Sequence, residues 1–305
     1  MGGIFRTFGN TWSLTKTSMV VLRKDKELLL FPIMGFVIIG IIIGVAAAVL
    51  SSTGAFDRLG NDDNLQSLQG SDIAIAIIVV FSGMFVVNYF NAALMGAARH
   101  RLKGGDPNLG TGFAAVNKHI GAVFGWSIIG TIIMLLLLYA RSKTDSFIGR
   151  LMVGIVGSMW SYATFFVLPV LIVEGVGPIT AIRKSSGHLR RTWGEQLVSN
   201  FGFGILRMIA VLPAVLAGFL LFSLSPVLGI ITVMPLLALG LSIVNSLEGI
   251  FKMALYEYIA EGVEPQFFDK EVLANAYGQV VLRPTGDSVK AVSSFCSVWN
   301  YEGLW

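Results

Sequence analysis

The chain has 305 residues, of which 54% are hydrophobic and only 13% are charged, and its formal net charge is +4. Soluble domains carry about 25% charged residues, so these few charges cannot cover a water-facing surface of this size. The composition excludes a soluble globular protein and predicts that most of the surface faces lipid.

Residue types that build catalytic and metal sites are scarce. Cys296 is the only cysteine, so no disulfide can form within the chain. The three histidines, His100, His119 and His188, do not have the spacing of metal ligands. No histidine or aspartate lies inside an apolar stretch. The sequence therefore predicts no catalytic residue, no cofactor and no metal site.

Six apolar stretches are long enough to cross a bilayer, whose hydrocarbon core of about 30 Å needs about 20 helical residues. They are residues 28–50, 73–98, 120–140, 147–173, 201–224 and 227–251. The first is longer than the apolar region of a signal peptide, roughly 7–15 residues, and is predicted to be retained. The predicted fold is an all-α polytopic membrane bundle over residues 1–277, followed by an extension at 278–305.

The charges between the spans predict an orientation. Thirteen lysines and arginines lie before the first span, between the second and third, and between the fourth and fifth, against four on the other side. Short loops rich in these residues stay cytoplasmic. Both termini are therefore predicted to be cytoplasmic, in the plasma (inner) membrane. From Lys252 onward the chain holds seven acids against four bases, which predicts that it lies across the basic loops.

Small residues are frequent within the spans and let membrane helices approach each other closely. Gly40 and Gly44 in the first span form a GxxxG pattern. Because glycine is common in this chain, the pattern favours ordinary packing within the molecule over a dimer interface.

A basic amphipathic segment precedes each pair of spans. In the first segment, Phe5, Phe8 and Trp12 begin an apolar stripe at helical spacing. The first and third segments also align without gaps, Lys16-Thr17-Ser18 on Lys184-Ser185-Ser186. These patterns predict interfacial helices. They also raise the hypothesis of three parallel repeats, each an interfacial helix plus two spans. The alternative is that every cytoplasmic loop is simply basic.

Two segments, residues 12–32 and 164–200, resemble an uncharacterised family of six-helix prokaryotic membrane proteins, classed as a domain of unknown function. The resemblance covers roughly residues 5–277. A sparser pattern is remotely similar to the membrane domain attached to some glycerophosphodiester phosphodiesterases: Pro169, Glu174, Ala181, Ser185 and Trp193. The resemblance implies a membrane architecture and no activity.

The basic faces of the interfacial segments are predicted to contact anionic lipid headgroups, because lysine and arginine near a membrane surface are attracted to them. The predicted headgroup residues are Lys16, Arg23, Lys118, Arg183, Lys184, Arg190 and Arg191.

Polar residues inside spans are costly and are candidates for function. Arg207 and Glu248 belong to one helical hairpin and are expected to reach each other. Glu174 is expected to pair with Arg183, Lys184 or Arg207. Asparagine within a membrane usually bonds a neighbouring helix. The remaining members of this intramembrane polar cluster are Asn88, Asn91 and Asn245.

Three classes of function are compared. A non-enzymatic membrane scaffold or accessory subunit, contacting anionic lipids, protein partners or a second copy, fits the basic segments and abundant small residues. A small-solute transporter or channel is the alternative and would use the polar cluster. An intramembrane enzyme is not favoured, because paired histidines or aspartates within the spans are lacking. No nucleic-acid partner is predicted.

Overall fold

The computed structural model describes residues 15–55, 69–192, 203–262 and 265–268, and within these ranges every regular element is helical. A 3-10 turn at Lys26–Leu29 leads into the second helix, and a π-helical turn at Glu257–Glu261 continues the last one. The helices are α1 (15–24), α2 (Leu30–Ser52), α3 (Gly70–Leu102), α4 (Leu109–Asn117), α5 (Ile120–Ser142), α6 (Phe147–Ala163), α7 (Val167–Glu174), α8 (Pro178–Thr192), α9 (Phe203–Phe222) and α10 (Pro226–Tyr256).

Six helical stretches are long and apolar enough to cross a membrane, which confirms the predicted fold class. They are Lys26–Ser52, Gly70–Leu102, Ile120–Ser142, Phe147–Glu174, Phe203–Phe222 and Pro226–Glu261. The second has 33 residues and the sixth 36, so at 1.5 Å per residue they are about 50 and 54 Å long. Because the hydrocarbon core is about 30 Å thick, both helices extend beyond it.

The fourth span is broken at residues 164–166, between α6 and α7. Pro169 follows the break, and proline disfavours a continuous helix because it lacks an N–H and crowds the carbonyl four residues earlier. Ser185 of α8 compensates the break. Its hydroxyl donates to the carbonyl of Ala163 (2.7 Å) and accepts from the N–H of Phe166 (3.0 Å). This link fixes α8 against the fourth span.

The helix α3 is central and packs against α2, α4, α5 and α10. The helix α9 packs on α10, and α6 packs on α5 and α8. Gly249 lies against Leu94 of α3, and Glu257 pairs with Arg99 further along α3, so α3 and α10 run in the same direction. We call the end at which α3, α7 and α10 finish, and α2, α5 and α9 begin, the basic end.

The fully buried core lies towards the basic end. Its large side chains include Phe31, Leu94, Leu171, Phe251 and Tyr256. The opposite half of the bundle exposes its apolar side chains: α6 has no buried residue, and Phe147 and Phe219 are each 81% exposed. Exposed apolar surface of this extent is what lipid-facing helices require.

The prediction that Gly40 and Gly44 serve packing within the chain is wrong for the described residues. A Cβ placed on either glycine would meet nothing within 4 Å. The buried residues of α2, Phe31, Pro32 and Gly35, all lie at its start, and both glycines lie on the exposed side of the helix beyond them.

A shorter helix precedes each pair of spans: α1, α4 and α8. Asn108 caps α4, since its side chain accepts a hydrogen bond from the N–H of Thr111 (2.9 Å). The hypothesis of three repeats stays a prediction. The C-terminal extension at 278–305 and the predicted helix positions 201–202 lie outside the described residues.

Candidate functional site

The polar side chains of the basic end form separate bonded clusters rather than one group. The first surrounds Glu174, the last residue of α7. Lys184 of α8 pairs with one carboxylate oxygen, and the hydroxyl of Tyr256 donates to the other at 2.8 Å. The predicted pairing of Glu174 is confirmed with Lys184 as its partner. The cluster ties α7, α8 and α10 together.

A left-handed glycine makes the turn that brings Lys184 back to Glu174. Gly175 has a φ of 66°, which glycine adopts without steric cost. The His119 side chain packs directly against it, and a Cβ at this position would lie 2.7 Å from the imidazole Cε1. Any larger residue would be strained in conformation and would also displace His119.

The second cluster is a triad on the α9–α10 hairpin. Arg207 Nη2 lies 2.5 Å from Glu248 Oε2, and Lys252 Nζ lies 2.8 Å from Glu248 Oε1. The Lys252 ammonium also lies 4.7 Å from the centre of the Phe165 ring, a cation–π contact. The predicted contact of Arg207 with Glu248 is confirmed, whereas Lys252 was not predicted.

A third cluster links the ends of α3 and α10. Glu257 is fully buried, and its Oε1 accepts from Arg99 Nε at 3.2 Å. The Glu261 carboxylate forms ion pairs with Arg99 Nη2 at 2.5 Å and with Lys103 Nζ at 2.9 Å. One signal for this arrangement is present in the sequence, the excess of acids from Lys252 onward. Two of those acids do lie against the basic residues that end α3.

The fourth cluster fixes the start of the first span to the end of α3. Arg101 forms a two-pronged ion pair with Asp25, and both side chains are buried, at 8% and 6% exposure. Arg101 also reaches Asp106 at 2.6 Å. Beside it, the N–H of Gln266 donates to the carbonyl of Leu102 (3.1 Å). From the sequence alone, Arg101 belongs only to a basic loop, and this buried pair was not predicted.

The asparagines predicted within the membrane are not one group. Asn88 donates to Ser127 Oγ of α5 at 3.0 Å, which confirms its expected bond to a neighbouring helix. Asn91 and Asn245 are half-buried, and the structure gives neither a side-chain hydrogen bond within the residues it describes. Asn245 therefore does not extend the triad around Glu248.

The predicted headgroup residues divide into three sets. Lys16, Arg23, Lys118 and Arg183 are exposed, and none has an ion pair to a described residue. Lys184 is also exposed but is occupied by Glu174. The residues Arg190 and Arg191 belong to α8, and their side chains lie outside the described part of the structure.

Comparisons with curated proteins and with solved structures find no match. A family model described as a family of unknown function (DUF6159) matches residues 71–266. This range is more than half of the chain, and it includes the clusters around Glu174, Glu248 and Glu257. The chain therefore belongs to the DUF6159 family, in agreement with its resemblance to an uncharacterised family.

Proposed function

We propose that this member of a family of unknown function is a non-enzymatic membrane scaffold or accessory subunit whose basic end contacts anionic lipid headgroups. The supporting observation is that Lys16, Arg23, Lys118 and Arg183 are exposed and unpaired within the described residues. They lie on or beside α1, α4 and α8, and each of these helices leads into a span that begins at the basic end. Exposed cations at this level favour anionic lipids.

The proposed orientation places the basic end, and with it both termini, on the cytoplasmic side of the plasma membrane. The cytoplasmic leaflet carries the anionic lipids that attract basic segments. The three units of a short helix and two spans would then present three similar basic surfaces to one leaflet. We also propose a remote relationship to the membrane domain attached to some glycerophosphodiester phosphodiesterases, on the pattern of Pro169, Glu174, Ala181, Ser185 and Trp193. No phosphodiesterase activity is carried over from it.

The division of the polar residues into bonded clusters supports a scaffold over the alternative of a transporter or channel. A transport pathway needs polar groups that are continuous along the membrane and free to exchange partners. Here Asn88 is bonded to Ser127, and Glu248 to Arg207 and Lys252. Such contacts join neighbouring helices and stabilise the bundle.

The proposal is tested by counting the lipids that the purified full-length protein retains. Native mass spectrometry in detergent would compare phosphatidylglycerol with phosphatidylcholine. The double variant Lys118→Gln/Arg183→Gln should retain less phosphatidylglycerol, because two unpaired cations are lost, and the same amount of phosphatidylcholine.

A matched control removes equal charge from the other end of the bundle. Arg141 and Lys143 are exposed at the end of α5, opposite the basic end. The variant Arg141→Gln/Lys143→Gln should retain phosphatidylglycerol at the level of the unmodified protein. Equal losses in the two double variants would show a general charge effect and would contradict a headgroup role for the basic end.

A further inference from the structure

The triad of Arg207, Glu248 and Lys252 carries one positive charge more than its own carboxylate balances. Both oxygens of Glu248 are already used, one by each cation. A carboxylate shared in this way neutralises one of the two charges and leaves the other without a counterion. Near the hydrocarbon of a bilayer an unbalanced charge is costly, so the triad favours an additional anion.

Neighbouring acids at the basic end are engaged elsewhere. Glu174 is bonded to Lys184 and Tyr256, and Glu257 and Glu261 receive Arg99 and Lys103. Within the described residues, Glu248 is the acid to which the structure bonds Arg207 and Lys252. The missing negative charge would therefore come from outside this part of the chain.

The position of Arg207 indicates what kind of anion reaches it. Arg207 lies in the first turns of α9, at the basic end, and its side chain is 49% exposed. The next residues of the helix, Met208 and Ile209, are exposed apolar side chains that face lipid. A long cationic side chain at such a level extends towards the headgroup layer. Phospholipid phosphates are the anions that occupy that layer.

Both cations keep donors for a phosphate. The guanidinium of Arg207 has five N–H groups and uses Nη2 on Glu248, and the Lys252 ammonium has three N–H groups and uses one. Charge-assisted bonds from such donors to phosphate oxygens are short and strong. The Glu248 carboxylate occupies one nitrogen of each cation and leaves the remaining donors free.

We propose that Arg207 and Lys252 together bind the phosphate of one anionic phospholipid at the α9–α10 hairpin. This inference rests on the proposed function in one respect, that the basic end faces anionic lipid. It differs from the proposed function because it predicts one defined lipid site. That site is made of residues other than the exposed cations of the short helices.

The test is a titration of the full-length protein in detergent with phosphatidylglycerol, followed by native mass spectrometry. Arg207→Gln should weaken the most tightly held phosphatidylglycerol by about tenfold, since a charge-assisted contact is lost. Arg207→Lys, which keeps the charge, should retain most of the affinity. Unchanged affinity in Arg207→Gln would overturn the site.

Glu248→Gln gives an independent readout that a purely structural triad would not produce. Removing the carboxylate raises the charge of the triad, so phosphatidylglycerol should bind more tightly than in the unmodified protein. Weaker binding would mean that the triad serves folding alone and would overturn the proposal. The variant also provides a test should Arg207→Gln not fold.

Two further measurements complete the test. The first distinguishes bound phospholipid from free phosphate, and the second distinguishes the triad site from the lipid contacts of the proposed function. Inorganic phosphate at the same concentration should not displace the bound lipid, and efficient displacement would overturn the assignment to phospholipid. The Lys118→Gln/Arg183→Gln variant should keep the tightly held lipid and lose the weaker ones. Loss of lipid in that variant without loss in Arg207→Gln would overturn the triad site and leave the proposed function standing.

Discussion

The two halves of this bundle are held together in different ways. At the basic end, helices bury large side chains such as Leu171 and Phe251 completely and join through ion pairs such as Arg101–Asp25. In the opposite half, α6 buries no residue and α9 exposes most of its apolar side chains. Lipid solvates apolar side chains as well as a protein core does, so burial between helices gains little there.

This difference indicates where the stability and the specificity of the fold reside. Because α3 and α10 are longer than the hydrocarbon is thick and their charged residues gather at the basic end, we expect this end to extend beyond the hydrocarbon, where water makes the burial of apolar groups favourable. It also carries the charged contacts that hold helices distant in sequence together. Substitutions of the same kind should therefore have large effects at the basic end and small effects in the opposite half.

The largest expected effect comes from breaking a buried ion pair. Arg101→Ala would leave Asp25 buried without its cation, which should lower the free energy of unfolding by about 3–5 kcal/mol. The measurement is unfolding of the full-length protein in mixed micelles by titration with a denaturing detergent, followed by circular dichroism.

The control is Arg141→Ala at the opposite end, where the arginine is exposed. It should change the free energy of unfolding by less than about 0.5 kcal/mol, as surface substitutions usually do. A small effect of Arg101→Ala would show that the basic end does not depend on this pair.

Alanine substitutions of two leucines allow the apolar packing of the two halves to be compared. Leu171 of α7 is 0% exposed, whereas Leu216 of α9 is 55% exposed. Leu171→Ala should cost about 2–5 kcal/mol because it removes buried contacts and leaves a cavity. Leu216→Ala shortens a side chain that faces lipid and leaves no cavity, so it should cost less than about 0.5 kcal/mol. Similar losses in the same unfolding assay would disprove the proposed difference between the halves.

The smallest expected effects come from two glycines. A Cβ on Gly112 of α4 would lie 2.7 Å from the carbonyl oxygen of Ala93 and 2.4 Å from Phe31, so α4 would have to move away from α3. Gly112→Ala should destabilise by about 1–3 kcal/mol, the usual cost of overpacking.

Gly44→Ala is the matched substitution, because a Cβ there meets nothing within 4 Å. Replacing a mid-helix glycine by alanine should stabilise the protein by roughly 0.5–1 kcal/mol. The two variants are therefore expected to change the thermal midpoint in detergent in opposite directions. A loss of stability on Gly44→Ala would indicate that this face of α2 packs against another part of the protein.

Three pairs of residues show how much of the candidate site could be predicted from the sequence. Arg207 and Glu248 lie on helices joined by a short turn, so their closeness in space follows from the connection alone. Glu174 and Lys184 are separated by one glycine turn, and their pairing was among the three expected. The pair formed by Arg99 and the fully buried Glu257 was not identified, because 158 positions separate the two residues.

The sequence by itself determined that the chain is helical, that six stretches can span a membrane and that basic segments lie between them. These properties are local, because the thickness of the bilayer sets the length and apolar character of each span separately. Only the tertiary structure decided that α3 and α10 lie parallel, that Asp25 meets Arg101, and that Lys252 joins Arg207 at Glu248. Contacts between distant helices depend on how all the helices pack together, which the composition of any one segment does not specify.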